Sequence, residues 1–416
     1  MSAQASVTDG GTPVWLNLLV AATAAMLAAY TLISISARGL FEYWGADYRA
    51  FRSAAEVARD DGYAAVYDLA LLEPPQRRLV EMYASPAVQS DFAVIPVPYL
   101  PVFVLPFRLI LAFNPVSGWL LWAGLNTAVL LAYSRRLGTA LGGRPWLSPL
   151  ILLFSLPAFL TIAFGQVNVW LLIGFGEFLI AVHRARDFAA GMFLGVMLLK
   201  PQILVLLVAG LVVGRRWRTL AGLGVAAALV LGASLGLAGA HGLTALALLW
   251  LGYTGNMPTT YPESMMNWRG LMVNLEPLLG NNAAAALALI GLLGTAIIGV
   301  WIWRWGTERR DTQPLAAGAY AASSTVAWHA HAHMALPLLG LLGGGSAWAR
   351  TGTTWLLALG VLPSLVFSSV GLFIGAGAAH RLAGSLLFVT NLAVLAAAAS
   401  YLRPRQESAP PPPSVH

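Results

Sequence analysis

The sequence has no cysteine, a single lysine, and charged residues at only 10% of its 416 positions. Without cysteine there can be no disulfide, thiolate zinc site or iron–sulfur cluster. Soluble domains have roughly 25% of their residues charged, so a chain with this little charge and 58% apolar residues is not expected to fold as a water-soluble globule. No Gly-rich phosphate loop is present, and no basic, aromatic-bearing stretch of the kind that holds nucleic acid. An internal repeat is missing too. So is a basic segment ahead of the first apolar run, residues 14–35, which is too long for a cleaved leader and should stay as a helix.

What is present is a series of apolar stretches about 20 residues long, the length needed to cross a bilayer as a helix. They recur from Val14 to Tyr401. This pattern predicts an all-α membrane protein: one polytopic helical bundle over residues 1–402 with roughly 11 to 13 membrane segments. The Pro-rich residues 403–416 form a disordered cytoplasmic tail by composition. The net charge of +7 has a membrane explanation, because basic residues favour cytoplasmic loops.

Residues 36–95 hold six arginines against nine acidic residues, a net −3 beside a basic remainder, and are placed as a long external loop. Basic clusters mark cytoplasmic ends: Arg135, Arg136 and Arg144; Arg184 and Arg186; Arg215, Arg216 and Arg218; Arg304, Arg309 and Arg310; Arg350; Arg403 and Arg405. Between them, 146–164 and 167–183 form a pair joined by FGQVN at an outer bend, and 314–327 and 334–348 a pair joined by WHAHAH. Residues 189–214 are too few for two full spans and predict a short hairpin broken at Pro201, with Lys200 at the break. Longer spans fall at 220–237, 283–303, 355–374 and 382–401, with a second external loop at 240–282. One parity problem is left open: 98–113 and 119–134 together return the chain outside, unless the Pro-rich 98–113 is re-entrant or interfacial.

In the first loop, Tyr48, Phe51, Ala55 and Ala58 recur at helical spacing opposite Arg49, Arg52, Glu56 and Arg59, with Gly62 as a stop. This predicts a short amphipathic helix, and a second one is expected over 75–83. With Phe41, Tyr43 and Trp44 before them, both should lie along the outer interface, where aromatic rings prefer the headgroup layer.

Several residues could carry chemistry. Asp47, in FEYWGADYRAF, reads either as a general base, its pKa raised near the bilayer, or as a helix N-cap. Lys200 can point an ammonium at a lipid phosphate or snorkel to the headgroups. Gln166 and Asn168 can bond sugar hydroxyls or satisfy backbone groups freed by the bend. His329 and His333 fall on one helical face at i, i+4, with His331 turned away; no carboxylate completes a metal site, and phosphate binding or proton handling suits them better than zinc. In the second loop, Trp250, Tyr253, Tyr261, Trp268 and Arg269 suit sugar faces and phosphate, or else an interfacial aromatic belt. Asn256, Asn267 and Asn274 argue against a purely apolar belt.

An ordered set of motifs between Asp47 and Gly270 resembles glycosyltransferase family 87, membrane transferases of GT-C architecture. The set comprises Asp47 with Tyr48, GYAAVYD at 62–68, PYLP at 98–101, LWAGLN at 121–126, GQVN at 165–168, LKP at 199–201, RRWR at 215–218 and NWRG at 267–270. The resemblance implies transfer of a hexose, typically mannose, from a polyprenyl-phosphate donor to a glycan or glycolipid acceptor. Transfer would take place on the external side of the bacterial cytoplasmic membrane, by single displacement with inversion. It further implies that Asp47 is the base, that Lys200 and Arg269 bind phosphate, and that Gln166, Asn168, Asn267 and Trp268 touch sugar. Tyr48, His329 and His333 stand with them at the substrate, and neither metal nor cofactor is required. The triple His329, His331 and His333 departs from the family pattern, which leaves the role of each histidine open. A transporter or flippase of lipid-linked sugar is the rival expectation. The missing repeat and the long first loop count against it, and the broken hairpin counts for it.

Overall fold

The computed structural model describes residues 14–90, 92–141, 152–252, 261–308, 313–343 and 360–402. Arg144, Arg309, Arg310, Arg350, Arg403, Arg405, Tyr253, Asn256 and the tail lie outside these residues, as do parts of the spans expected at 146–164, 334–348 and 355–374. Within the described residues the chain is helical, with two isolated bridges and no strand. Five helices are long and apolar enough to cross a membrane: α1 (Val14–Arg38), α4 (Pro115–Leu141), α9 (Trp217–Gly252), α11 (Asn281–Glu308) and α15 (Ala376–Ser400).

Between these lie shorter helices in broken pairs. Helices α5 (Leu156–Phe164) and α6 (Asn168–His183) meet at Gly165, whose φ of 78° is a left-handed conformation natural to glycine. There the Gly165 amide donates to the Ile162 carbonyl and the Gln166 amide to Thr161, closing the end of α5 as a paired C-cap. The next pair, α7 (Asp187–Leu194) and α8 (Leu204–Val213), is interrupted by 3-10 turns at Gly195–Leu199 and Pro201–Ile203. Pro201 lacks an amide hydrogen and pushes the residue before it out of the helical region, so Lys200 sits extended at φ −140°, ψ 75°. The break expected at Pro201 falls between the two 3-10 turns that separate α7 from α8. A third pair, α12 (Gln313–Val326) and α13 (Leu336–Gly343), encloses the histidine bend, and α14 (Leu362–Phe373) precedes α15.

The core forms where these helices are apolar all round. Leu315 to Thr325 of α12 are buried without interruption, and α6 is buried over most of its length. Close approach elsewhere rests on small residues: Gly195 faces Ala226 of α9, Gly222 of α9 lies against Phe188 and Met192 of α7, and a Cβ at Gly191 would run into the Thr219 carbonyl.

Several expectations need correction. Residues 98–113 form two single turns, Pro101–Val104 and Phe107–Ile110, about 12 Å of helix at 1.5 Å per residue, less than half of what a bilayer requires. The segment is too short to cross as a helix, in keeping with the re-entrant or interfacial alternative. The loop expected at 240–282 is largely helical. Helix α9 continues past a break at Gly239 (φ 64°, ψ −179°) to Gly252, and α10 (Trp268–Leu279) follows. The Leu- and Ala-rich residues after Gly239 contain nothing that would end a helix sooner.

In the first loop, α2 (Ala46–Asp60) matches the predicted helix, but α3 (Leu69–Tyr83) begins six residues ahead of expectation because Asp68 caps it, accepting from the Ala70 amide. Neither helix simply lies at an interface. Phe41 is fully buried and Trp44 is 2% exposed, its indole donating to Ser34 Oγ of α1 at 2.9 Å. Arg49, expected on the wet face, is also buried, and its guanidinium donates to the Ala93 carbonyl. Arg59 does face outward, whereas Arg52 and Glu56 are half-buried and the Arg52 guanidinium donates to the Ile110 carbonyl at 3.2 Å.

Candidate active site

Asp47 is the second residue of α2. The N-cap position belongs to Gly45, in a left-handed conformation (φ 74°), so the capping reading of Asp47 falls away. What fixes the start of α2 is a contact with the FGQVN bend. The Gly45 amide donates to the Ala163 carbonyl at 2.8 Å, and Gly165 lies so close to Tyr48 that a Cβ there would come within 2.6 Å of the Tyr48 Cβ. Two glycines thus bring the Asp47 carboxylate beside the Gln166 amide. Burial raises the Asp47 pKa above the ordinary carboxylate value, and the nearby Gln166 amide and the charges of Lys200 and Arg49 hold that rise back without cancelling it. Asp47 keeps partial exposure, as a group that receives substrate must.

Across from it, Lys200 is 6% exposed, with its ammonium 3.3 Å from His333 Nε2. His333 Nδ1 is buried without a partner. His331 lies beside it, the two rings stacked at 5.7 Å, and within electrostatic reach of Lys200, Arg269, His329 and His380. Arg269 lies over the Trp328 ring at 4.6 Å, and one of its terminal nitrogens is buried with no partner. One carboxylate therefore faces a group of cationic and imidazole side chains, and several of their polar atoms are desolvated and unspent. Such atoms cost free energy unless a ligand satisfies them, and these would suit an anionic oxygen group. Among the described residues, no group of three or more His, Asp or Glu is placed to share a metal ion.

The bend that carries the histidines differs from expectation. Residues 327–331 are not helical, so the i, i+4 argument fails, and His331 turns toward His333 instead of away. An isolated bridge between Met265 and His331, the Met266 amide on the Ala330 carbonyl (2.8 Å) and the Tyr320 hydroxyl on the Met334 carbonyl (2.9 Å) hold the bend. His329 stays half-buried at the side, its carbonyl 3.5 Å from the Gln202 amide.

Three residues expected at substrate are engaged in structure. Asn267 caps α10 by accepting from the Gly270 amide, and donates to the Ala327 and Trp328 carbonyls at 2.7 and 3.2 Å, which locks the second loop onto the histidine bend. Trp268 packs between Gly291 and Phe388 with its indole on Thr295. The Tyr48 ring fills the space between Gly118 and Gly165. Asn168 is fully buried and bonds Thr161 Oγ1 at 3.2 Å, leaving its own carbonyl oxygen free. Asp47, Gln166, Lys200, His333 and Arg269 remain as the candidate group, with the free carbonyl oxygen of Asn168. Sequence reasoning turned His331 away from the site and missed His380. The signal for His380 was a histidine at the head of a long apolar span, in GAAHRLAG.

A polytopic helical chain whose first long loop and helix breaks converge on one carboxylate and a cationic cluster has the build of a membrane-embedded transferase. The chain belongs to glycosyltransferase family 87: the model of that family matches residues 98–337. It is accordingly a membrane glycosyltransferase. No curated protein and no solved structure matches it. The matched stretch includes Gln166, Lys200, Arg269 and His333; Asp47 and His380 lie outside it.

Proposed function

We propose that the protein transfers a hexose, mannose in the first instance, from a polyprenyl-phosphate donor to a glycan or glycolipid acceptor at the external face of the cytoplasmic membrane. The observation that carries this reading is the opposition of Asp47 to the Lys200–His333 pair at the broken hairpin. A sugar attached to a lipid phosphate already has a good leaving group. The chain need only take the proton from an acceptor hydroxyl and stabilise charge growing on the departing phosphate. Asp47 does the first, as a partly desolvated carboxylate whose pKa is raised toward the working range. Lys200, His333 and Arg269 do the second with donors held in a low-dielectric setting, where they act more strongly than in water. Gln166 orients Asp47 and, with Asn168, offers amide oxygens to sugar hydroxyls. The acceptor oxygen attacks the anomeric carbon from the face opposite the phosphate, which inverts the configuration.

The test is reconstitution of the purified protein in proteoliposomes with radiolabelled short-chain polyprenyl-phosphate mannose and an alkyl mannoside acceptor. Label appearing in a disaccharide, with polyprenyl phosphate released in equal amount, supports the reading. Labelled donor crossing the bilayer chemically unchanged would make the protein a flippase.

A further inference from the structure

The turn ahead of Asp47 is held in a conformation its own backbone does not favour. Gly39 (φ 74°), Phe41 (φ 69°) and Gly45 (φ 74°) are all left-handed within seven residues, and at Phe41 that region is costly for a bulky side chain. Such a turn persists only if its surroundings over-determine it. Phe41 is fully buried, and its amide donates to the Trp44 carbonyl at 2.6 Å. The side chain at the apex, Tyr43, reaches a helix 337 residues further on: its hydroxyl lies 2.7 Å from Nε2 of His380, near the start of α15. The Tyr30 hydroxyl of α1 donates to Tyr43 in turn at 3.3 Å. Burial holds the Tyr43 phenol well above its ordinary pKa, so it remains a hydrogen-bond donor.

His380 is itself fixed by rings on two sides. It stacks on Phe164 at 6.0 Å and meets Phe367 edge-on at 5.0 Å. Phe164 is the residue before Gly165 and Gln166, and its ring also meets Tyr43 at 5.1 Å and His333 at 6.4 Å. One imidazole therefore ties together the turn leading to Asp47, the bend leading to Gln166 and, through Phe164, the bend carrying His333.

We propose that His380 is a positioning residue for sugar transfer: by accepting the Tyr43 hydrogen bond it locks the 39–45 turn and sets the Asp47 carboxylate against the acceptor. This rests on the proposed role of Asp47 as base. A group acting on Asp47 through a turn changes the rate of the chemical step more than the hold on the donor, because misplacing a base is costly only in the transition state.

The test uses the full chain in lipid nanodiscs with short-chain polyprenyl-phosphate mannose and an alkyl mannoside. Tyr43→Phe removes one oxygen. His380→Phe keeps the ring stack but loses the acceptor, and His380→Gln keeps an acceptor near the Nε2 position. Each of the first two should lower kcat on the order of tenfold with the donor KM nearly unchanged. The double variant should be no slower than either single, and His380→Gln should recover most of the loss. A second readout needs no substrate. Because the chain has no cysteine, Ala46→Cys is a sole reporter, and its labelling by a water-soluble maleimide should quicken severalfold in both Tyr43→Phe and His380→Phe. Unchanged kcat and unchanged labelling in both, losses that multiply in the double variant, or a loss seen in KM alone would each overturn the proposal. Asp47→Asn run alongside separates the two readings. Parental turnover in that variant would remove the base itself, whereas its collapse beside a fully active Tyr43→Phe would remove only the role of His380.

Discussion

Tyr48 stands between two glycines that fix α2 against α4 and the FGQVN bend, and its two contacts respond differently to substitution. At Gly118, in the first turn of α4, an added Cβ would fall on the Tyr48 hydroxyl and lie 2.7 Å from Ile110 Cγ2. Overpacking of that kind costs about 1–3 kcal/mol. At Gly165 the added Cβ would sit 2.6 Å from the Tyr48 Cβ, at a φ of 78°. There the overpacking adds to a left-handed backbone cost of about 1–2 kcal/mol, for a total of about 2–5 kcal/mol. Tyr48→Phe alone should cost under about 1 kcal/mol, since the hydroxyl has only a long 3.5 Å contact with Arg52. Combined with Gly118→Ala it removes the obstructing oxygen, and we expect it to restore about 1 kcal/mol. Combined with Gly165→Ala it removes nothing that matters, and we expect no coupling. Thermal unfolding in a single detergent, read as a double-mutant cycle, measures both. A Gly165→Ala protein as stable as the parent, or one rescued by Tyr48→Phe, would refute the placement of α2 against the bend.

The raised pKa of Asp47 makes the folded state hold a proton that the unfolded chain releases near pH 3.8. Its burden on stability is thus absent below that pH, grows as pH rises toward the folded value, and is complete above it. Asp47→Asn should therefore melt at or above the parent at pH 7 and lose that advantage at pH 3.5. Asn267→Ala should lower stability by about 2–3 kcal/mol, through a lost cap and two stranded carbonyls, and change the donor KM little; a KM effect without a stability effect would place Asn267 at the sugar. Lys200→Met should weaken binding of polyprenyl phosphate, with Lys200→Arg intermediate because a planar fork replaces a point charge; unchanged binding in the Met variant would leave Lys200 a snorkelling anchor. Single cysteines replacing the exposed Asp61 and Arg218 should label from opposite sides of the membrane, Asp61 from outside; labelling from the same side would overturn the orientation.

Much of the architecture was legible because lipid imposes simple rules. Apolar length located α1, α4, α11 and α15, and the two punctuating residues, Gly165 and Pro201, located the breaks that bring Gln166 and Lys200 inward. Asp47 was legible as a candidate, and its competing role as a cap fell only when Gly45 proved to occupy that position. Helical periodicity misled at the histidines, because residues 327–331 obey the bridge to Met265 and the clamp from Asn267, contacts made across 60 or more residues of chain. The same non-locality hid the burial of Arg49 and the pairing of Tyr43 with His380. A local pattern can show that a side chain is polar, but not which distant helix will meet it.

The measurement that bears most directly on the account is single-turnover transfer by purified Asp47→Asn beside the parent, with short-chain polyprenyl-phosphate mannose at saturating concentration. Asn keeps the size of the side chain and removes the base. The account predicts a loss of on the order of a hundredfold or more in the transfer rate, with donor binding and thermal stability retained. Transfer by the Asn protein at the parental rate would contradict it.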